Sequence, residues 1–544
     1  PKRVTDMTSV FSWHASAQLV GNLKGLVPSN STISPTPPPL QTAMGRRVAF
    51  VLEGSRGDFQ PYMVAALSLK KAGYSVLLLG QSDVADMMKH FNLDYIDFFP
   101  VNSQKACCEE KFVEALVDND FAKFTAIQGE VKNSVREEMM KRLVSAMKEF
   151  RPDVIFSAYL CLVDCMNVGI ALQIPVLFLG MQVMICSNYI SAFGMFPRLP
   201  TTFSLNRRLW NFLCEKICRD FNATSEPFLK KIFNTENAVE DFQPTMEEFF
   251  DICSCDARYP VILCASLTLH GPVPPDFNEN IHAIGALSMD SSEQVGPYFG
   301  GTLTQEMEAF LKAGDAPVYI GYGSMICYNA KFMTLLSLRG LMKTGQRGIL
   351  LGGWAEMSAA VLEGEEDSEE LLAYCKDKVL FMDTAPHGPL FPRCKVIVHH
   401  GGAGTLNTSA MSGIPTVIVP IFLDQFYHSD LVNAKGFGVG LKAMKEVTPD
   451  ELADAINQCI NSADIKQKAA EVAAQMSKEN QARTELVEIV DRFLVDYVDT
   501  GRFLEERSAL RKQVFENTWK HWMSTWFNRC ACFTEARKSE IQGA

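Results

Sequence analysis

The sequence predicts an α/β protein built from two doubly wound domains that face each other across a cleft. Two observations carry that prediction. Short apolar runs end at glycine or proline and alternate with helical segments, once in residues 47–265 and again in residues 318–419. Between the two series lie breaker-rich stretches, Gly271-Pro272-Val273-Pro274-Pro275 and the polar, glycine-containing segment 287–315.

The first series opens with Val48-Ala49-Phe50-Val51-Leu52, a run apolar enough for a buried parallel strand. A glycine-bearing loop follows. A helix is then expected from Pro61, which suits a first turn because its missing N–H costs nothing there, to Ala72, with Gly73 as its stop. Ser75–Leu79 completes a βαβ unit, and Asp153–Ser157, Val176–Leu179 and Val261–Ala265 continue the strands. The second series places strands at 318–322, 348–351, 396–398 and 416–419, each ending near glycine or proline. The expected organisation is a leader at 1–45, a first domain at 46–288, a linker at 289–315, a second domain at 316–490, and helices with a tail at 491–544.

The bulk composition narrows the function. The 544-residue chain carries a formal net charge of -12, which argues against a general nucleic-acid binder needing a basic face. Its 16 cysteines are scattered through apolar runs, without the paired spacing of a zinc site, and read as reduced core thiols. The longest apolar stretch, 174–186, is shorter than the roughly 20 residues of a bilayer span. An intracellular place, cytoplasmic or membrane-peripheral, is expected. Residues 7–52 lack acidic side chains and include Pro37-Pro38-Pro39. The 1–45 leader reads as a flexible tail, with an organelle transit peptide as the other reading.

The chemistry concentrates in His399-His400-Gly401-Gly402-Ala403-Gly404-Thr405, which follows a buried strand and opens a helix running to about Met411. A helix N-terminus offers unpaired N–H groups and about half a positive charge, and glycines let a diphosphate approach them closely. His400 and Thr405 add side-chain donors. For His400 the other reading is a satisfied structural histidine, and His399 is expected on the opposite face of its strand. The motif is neither a dinucleotide fingerprint nor a P-loop with its lysine. Asp424-Gln425 follows the next strand, where a carboxylate and an amide suit neighbouring sugar hydroxyls.

Together with Gly413-Ile414-Pro415, Pro420 and Gly436-Phe437-Gly438, these residues resemble the donor-binding block of inverting GT-B glycosyltransferases, above all the sterol 3-beta-glucosyltransferase-like and UDP-glycosyltransferase proteins. Gly54-Ser55-Arg56-Gly57-Asp58-Phe59-Gln60-Pro61 resembles their N-terminal loop. Tyr322-Gly323-Ser324-Met325, Gly353-Trp354, Pro386-His387, Leu390-Phe391-Pro392 and Pro274-Pro275-Asp276-Phe277 resemble further stations. The segment Phe426-Tyr427-His428-Ser429 departs from the pattern, which usually carries a Trp after Asp-Gln.

The resemblance implies a hexose, glucose by family likeness, moved from a UDP-sugar to a hydroxyl of a sterol, lipid or other small hydrophobic acceptor. It implies no metal and no cofactor beyond the UDP-sugar co-substrate. It makes Asp58 the catalytic base, a cap for the following helix being the other reading. It places Ser324, His400, Gly402, Ala403, Gly404 and Thr405 at the diphosphate, Asp424 and Gln425 at the sugar, and Trp354 and His387 near the base. Arg56 is expected at acceptor or phosphate, plain surface solvation being the other reading. A nucleotide-sugar epimerase or hydrolase on the same fold, and a non-catalytic UDP-sugar binder, are the alternatives. Trp519, Trp522 and Trp526 form an i, i+3, i+7 stripe interleaved with basic residues. It reads as a helix packed back on the first domain, or as an interfacial membrane helix.

Overall fold

The computed structural model describes residues 41–54, 56–192, 199–289 and 303–517. Ser55, the Trp519–Trp526 stripe and most of the 1–45 leader lie outside the described residues.

Two parallel sheets lie in one compact unit. The first has seven strands: β1 (Arg47–Val51), β2 (Ser75–Gln81), β3 (Asp94–Phe99), β4 (Val154–Ser157), β5 (Val176–Gly180), β6 (Val261–Leu263) and β7 (Ile281–Ala283). Their order is β3-β2-β1-β4-β5-β6-β7. The second has six: β8 (Val318–Gly321), β9 (Gly348–Leu351), β10 (Val379–Met382), β11 (Val396–His399), β12 (Thr416–Ile418) and β13 (Gly438–Gly440), in the order β10-β9-β8-β11-β12-β13. Neighbouring strands pair in parallel throughout, for example Val48 beside Val76 and Val154. Central strands such as β1, β4 and β11 are buried almost end to end, because helices cover both faces.

The helices that matter for the site are α1 (Arg56–Ala72), α2 (Glu110–Val117), α3 (Phe121–Ser134), α4 (Arg136–Phe150), α5 (Tyr159–Leu172), α6 (Ala403–Met411), α7 (Gln425–Lys435) and α8 (Ala482–Phe493). α1 begins five residues before the expected start, so Pro61 lies inside it. That corrects the reading of Asp58 as a cap for a helix starting at Pro61. Asp58 occupies the first turn, where a carboxylate is favoured by the helix dipole. Within the segment expected as linker, Gln305–Lys312 is helical, capped by Thr304 and anchored by buried Met307 and Leu311.

The C-terminal helices return to the first lobe. Leu486, Ile489, Val490 and Phe493 of α8 are buried in the same core as β1 and β4, and Tyr74 Oη donates to Asp491 at 3.0 Å. Among the described residues, no helix is long and apolar enough to cross a membrane.

Candidate functional site

In each sheet the strand order reverses between two central neighbours, β1/β4 in the first and β8/β11 in the second. Such reversals open crevices beyond the carboxyl ends of the strands. Gly54 and then Asp58 in the first turn of α1 follow β1, Gly323–Ser324 follows β8 and His400–Gly402 follows β11, so the topology gathers three of the sequence stations at two reversal points.

α6 opens at the second of these. Its N-cap, Gly402, supplies no side chain, no acidic residue occupies the first turn, and no side-chain hydrogen bond closes the helix end. Gly404 is exposed with open space where a Cβ would stand, and Ala403 and Thr405 are half-buried. The helix end is thus open at Gly404, and no side chain hydrogen-bonds to its cap.

The two adjacent histidines divide as strand alternation dictates. His399 is buried and structural: its Nδ1 accepts from Gly401 N–H at 3.0 Å, which leaves Nε2 to pair with Ser409 Oγ at 3.4 Å. His400 lies between two glycines. A Cβ on Gly402 would sit 2.4 Å from its Nε2, and one on Gly323 3.2 Å from its Cε1. Its Nδ1 is buried without a hydrogen-bond partner. Burial, and then the proximity of His428, push its pKa down to about 4, so the ring is neutral at pH 7. It can offer a phosphate an N–H but no charge.

These histidines make the fold acid-sensitive. Burial also holds His399 well below the ordinary 6.5. Below pH 6.5 the unfolded chain binds protons that these rings refuse in the fold, so stability falls with pH by about 1.4 kcal/mol per unit per ring. We expect the thermal midpoint to drop between pH 6.5 and 4.5. The double variant His399→Gln/His400→Gln should show a shallower slope over that range.

Ser324 is half-buried in the turn after β8, and the Trp354 backbone N–H donates to Gly323 O at 3.0 Å, joining the loops after β8 and β9. The Trp354 ring packs partly buried on the second lobe's core. His387 stacks on Phe391 at 4.5 Å and its Nε2 pairs with Tyr319 Oη at 2.8 Å.

Asp424 and Gln425 differ in role. The Gln425 amide oxygen accepts from Ile421 and Phe422 N–H at 2.9 and 3.1 Å, so it shapes the loop and only its amino group is left for a ligand. Asp424 accepts instead from the side chain of Gln182, which follows β5 in the opposite lobe. The preceding Leu423 has φ 54, a left-handed conformation costing a non-glycine residue roughly 1–2 kcal/mol. Strain of that kind collects where a loop must aim a side chain.

Across the crevice, α1 comes within 8 Å of α6 between Cα atoms. Asp58 is exposed in the first turn of α1, and its carboxylate folds over Gly54, where any Cβ would meet Oδ2 at 2.4 Å. Gly54, at φ 144, is thus required both by backbone and by contact. Gly57 is exposed beside it.

Several site neighbours carry no motif. Gln182 is one. His428 is fully buried, its Nδ1–H donating to Gly401 O at 2.6 Å while Nε2 has no partner. Its one sequence signal is the place where the Phe426–Ser429 segment departs from the family pattern. Beneath the Asp58 loop, Glu53 meets Lys132 at 2.7 Å, Lys132 meets Asp164 at 3.5 Å, and Arg136 meets Asp164 at 2.9 Å, all four nearly inaccessible to solvent. Burial alone would lower the Lys132 pKa. The two carboxylates outweigh it and hold the ammonium above its ordinary value. Among the described residues, no group of three His, Cys, Asp or Glu side chains is placed to hold a metal.

Comparison with known proteins bears on the fold and on family likeness. Residues 349–494 match the family model for the erythromycin biosynthesis protein CIII-like C-terminal domain. Sterol 3-beta-glucosyltransferase UGT80A2 of Arabidopsis thaliana is 26% identical over 452 residues, covering 81% of this chain and 64% of that protein. The sterol 3-beta-glucosyltransferase of Vanderwaltozyma polyspora is 27% identical over 452 residues, covering 80% of this chain and 34% of that protein. The chain therefore spans less than two thirds of the length of these relatives. Among solved structures, the calicheamicin glycosyltransferase CalG4 superposes with a TM-score of 0.56 at 14% identity, over 83% of this chain and 99% of that one. VinC, solved in complex with DTDP, gives 0.52 at 17% identity, over 82% and 100%. The chain has the GT-B fold of glycosyltransferases and is similar to sterol 3-beta-glucosyltransferases over four-fifths of its length.

Proposed function

We propose that the protein is an inverting hexosyltransferase that moves glucose from UDP-glucose to the hydroxyl of a sterol or other hydrophobic alcohol. One observation carries the reading: α6, with its uncapped, glycine-lined start, comes within 8 Å between Cα atoms of the helix that bears Asp58. The α6 N–H groups, Thr405, Ser324 and neutral His400 receive the diphosphate. Asp424 receives the hexose and shares its carboxylate with Gln182. Trp354 and His387 lie on the side of the nucleoside. Asp58 takes the acceptor hydroxyl proton. The acceptor oxygen then bonds to the anomeric carbon from the face opposite UDP, the bond from that carbon to the diphosphate oxygen breaks, and the configuration inverts. The growing negative charge on UDP is met by the helix end, which supports a reaction without a metal. The glucose and sterol assignments rest on the activity for which the relatives are named.

The test is a UDP-release assay with a panel of nucleotide sugars, each with a sterol, a long-chain alcohol, or no acceptor. Release that requires both a UDP-sugar and a hydrophobic alcohol supports the proposal. Equal release without an acceptor would favour hydrolysis or epimerisation, and UDP binding without turnover would leave a binding protein.

His400 supplies a second check. Because the ring is neutral, what it gives a phosphate is a hydrogen bond, worth roughly 1.5–3 kcal/mol to a charged partner. His400→Ala should weaken UDP binding about tenfold to a hundredfold by calorimetry, in line with that energy. His400→Gln, which keeps a donor, should lose much less.

A further inference from the structure

Residues 110–124 belong to the first lobe by their place in the chain, yet they pack into the second. Val113, Leu116 and Val117 of α2 are buried in the same cluster as Val398, Val419 and Phe422. Phe124 of α3 meets Phe422 at 4.9 Å between ring centroids. Asp118 adds an ion pair to Lys445 at 3.5 Å. Between the helices, Asn119 adopts φ 51, a left-handed conformation that Asn tolerates well at a helix end. It presents its Oδ1 to the backbone N–H of Leu423 at 3.3 Å.

That contact falls on the strained residue of the sugar-side loop. Leu423 holds a left-handed backbone, and Asp424 comes next. The loop's backbone donor is met by Asn119 and its carboxylate by Gln182, both from the opposite lobe. What fixes Asp424 is therefore lobe closure, not the second lobe alone.

The far end of α3 reaches the other half of the site. Gln128 Nε2 donates to Glu53 Oε1 at 3.3 Å, and Lys132 Nζ donates to Glu53 Oε2 at 2.7 Å. Glu53 immediately precedes Gly54, on which the Asp58 carboxylate rests. Positions 124, 128 and 132 repeat every four residues and share a helix face. One rigid element about 12 Å long thus touches the sugar-side loop at one end and the base-bearing loop at the other.

We propose that α2 and α3 form a positioning strut: Asn119 and Phe124 set the Phe422–Asp424 loop, Gln128 and Lys132 set the loop of Asp58, and closure of the lobes on the strut aligns the two carboxylates. The inference rests on the hexosyltransferase reading for its catalytic meaning. Asn119 and Phe124 themselves are positioning residues.

The experiment uses the full chain and three variants. Asn119→Gly keeps the left-handed backbone and removes the acceptor, Asn119→Asp keeps the acceptor, and Phe124→Ala removes the ring. Two readouts are taken. Hydrogen exchange over 420–426 is compared with exchange over 399–411, and UDP affinity is set beside kcat and KM for UDP-glucose. Exchange over 420–426 should accelerate in Asn119→Gly and Phe124→Ala and stay unchanged over 399–411. UDP alone, gripped at α6, should bind within about twofold of the parent. Transfer should fall by about tenfold or more, since small misplacements of reacting groups cost up to a hundredfold, with Asn119→Asp restoring most of it. A folded Asn119→Gly with parental exchange over 420–426 would overturn the strut, as would loss of UDP affinity equal to the loss of transfer. If the parent turns over no donor, the hexosyltransferase reading falls and exchange alone decides the strut.

Discussion

Asp58→Asn should abolish most transfer while leaving UDP binding intact. General-base assistance contributes roughly a hundredfold to ten-thousandfold, and the amide cannot accept the proton. The substitution is isosteric and keeps an oxygen over Gly54, so the loop has no reason to move. As a first-turn carboxylate, Asp58 contributes about 0.3–1 kcal/mol of helix-dipole stabilisation that the amide gives up. The two roles therefore separate cleanly. A purely structural Asp58 predicts a slightly lower melting midpoint with normal turnover. A catalytic one predicts a near-normal midpoint, an unchanged UDP dissociation constant and a loss in kcat. UDP release and calorimetry on the same preparation decide between them, and transfer within threefold of the parent would remove Asp58 from the base role.

Local signals made the donor-side half of the site legible. The apolar runs before Gly321, His399 and Pro420 are strands, and the His400–Thr405 string leads into a helix with an uncapped start. The start of α1 was less legible. Proline at a first turn is a sound prior, but α1 takes Pro61 at its sixth position and forgoes one backbone hydrogen bond there. Likewise the polar character of 289–315 conceals a helix at Gln305–Lys312, although Thr304 is a legible cap.

What the sequence hides is long-range and polar. Gln182 meets Asp424 from 242 positions away, and Asn119 meets Leu423 from 304. No spacing rule announces such pairs. Lys132 and Arg136 sit at i, i+4 and are both buried, although long charged side chains are seldom buried unless paired. Gln425 shows a second role that spacing does not announce. An amide beside a carboxylate suggests a sugar contact, while its oxygen in fact closes the loop on Ile421 and Phe422.

The buried charges yield the largest expected effect on stability. Lys132→Met should destabilise the first lobe by about 3–5 kcal/mol, the usual result of leaving a buried charge without its partner. Glu53 and Asp164 would both lose the ammonium. Asp164 keeps Arg136 at 2.9 Å and Ser225 Oγ at 2.7 Å, whereas Glu53 keeps chiefly the Gln128 amide at 3.3 Å. The damage should therefore concentrate at the end of β1, immediately before the Asp58 loop. Removing the orphaned charge as well, in Glu53→Gln/Lys132→Met, should recover much of the loss, because methionine fills the space and the remaining amide needs less hydration. The thermal midpoints of the parent, both single variants and the double variant form a cycle that isolates the pair. A Lys132→Met midpoint equal to the parent's would mean that water reaches Glu53 and that the cluster does not anchor the loop. A deep loss with no recovery in the double variant would assign the stability to Asp164 instead.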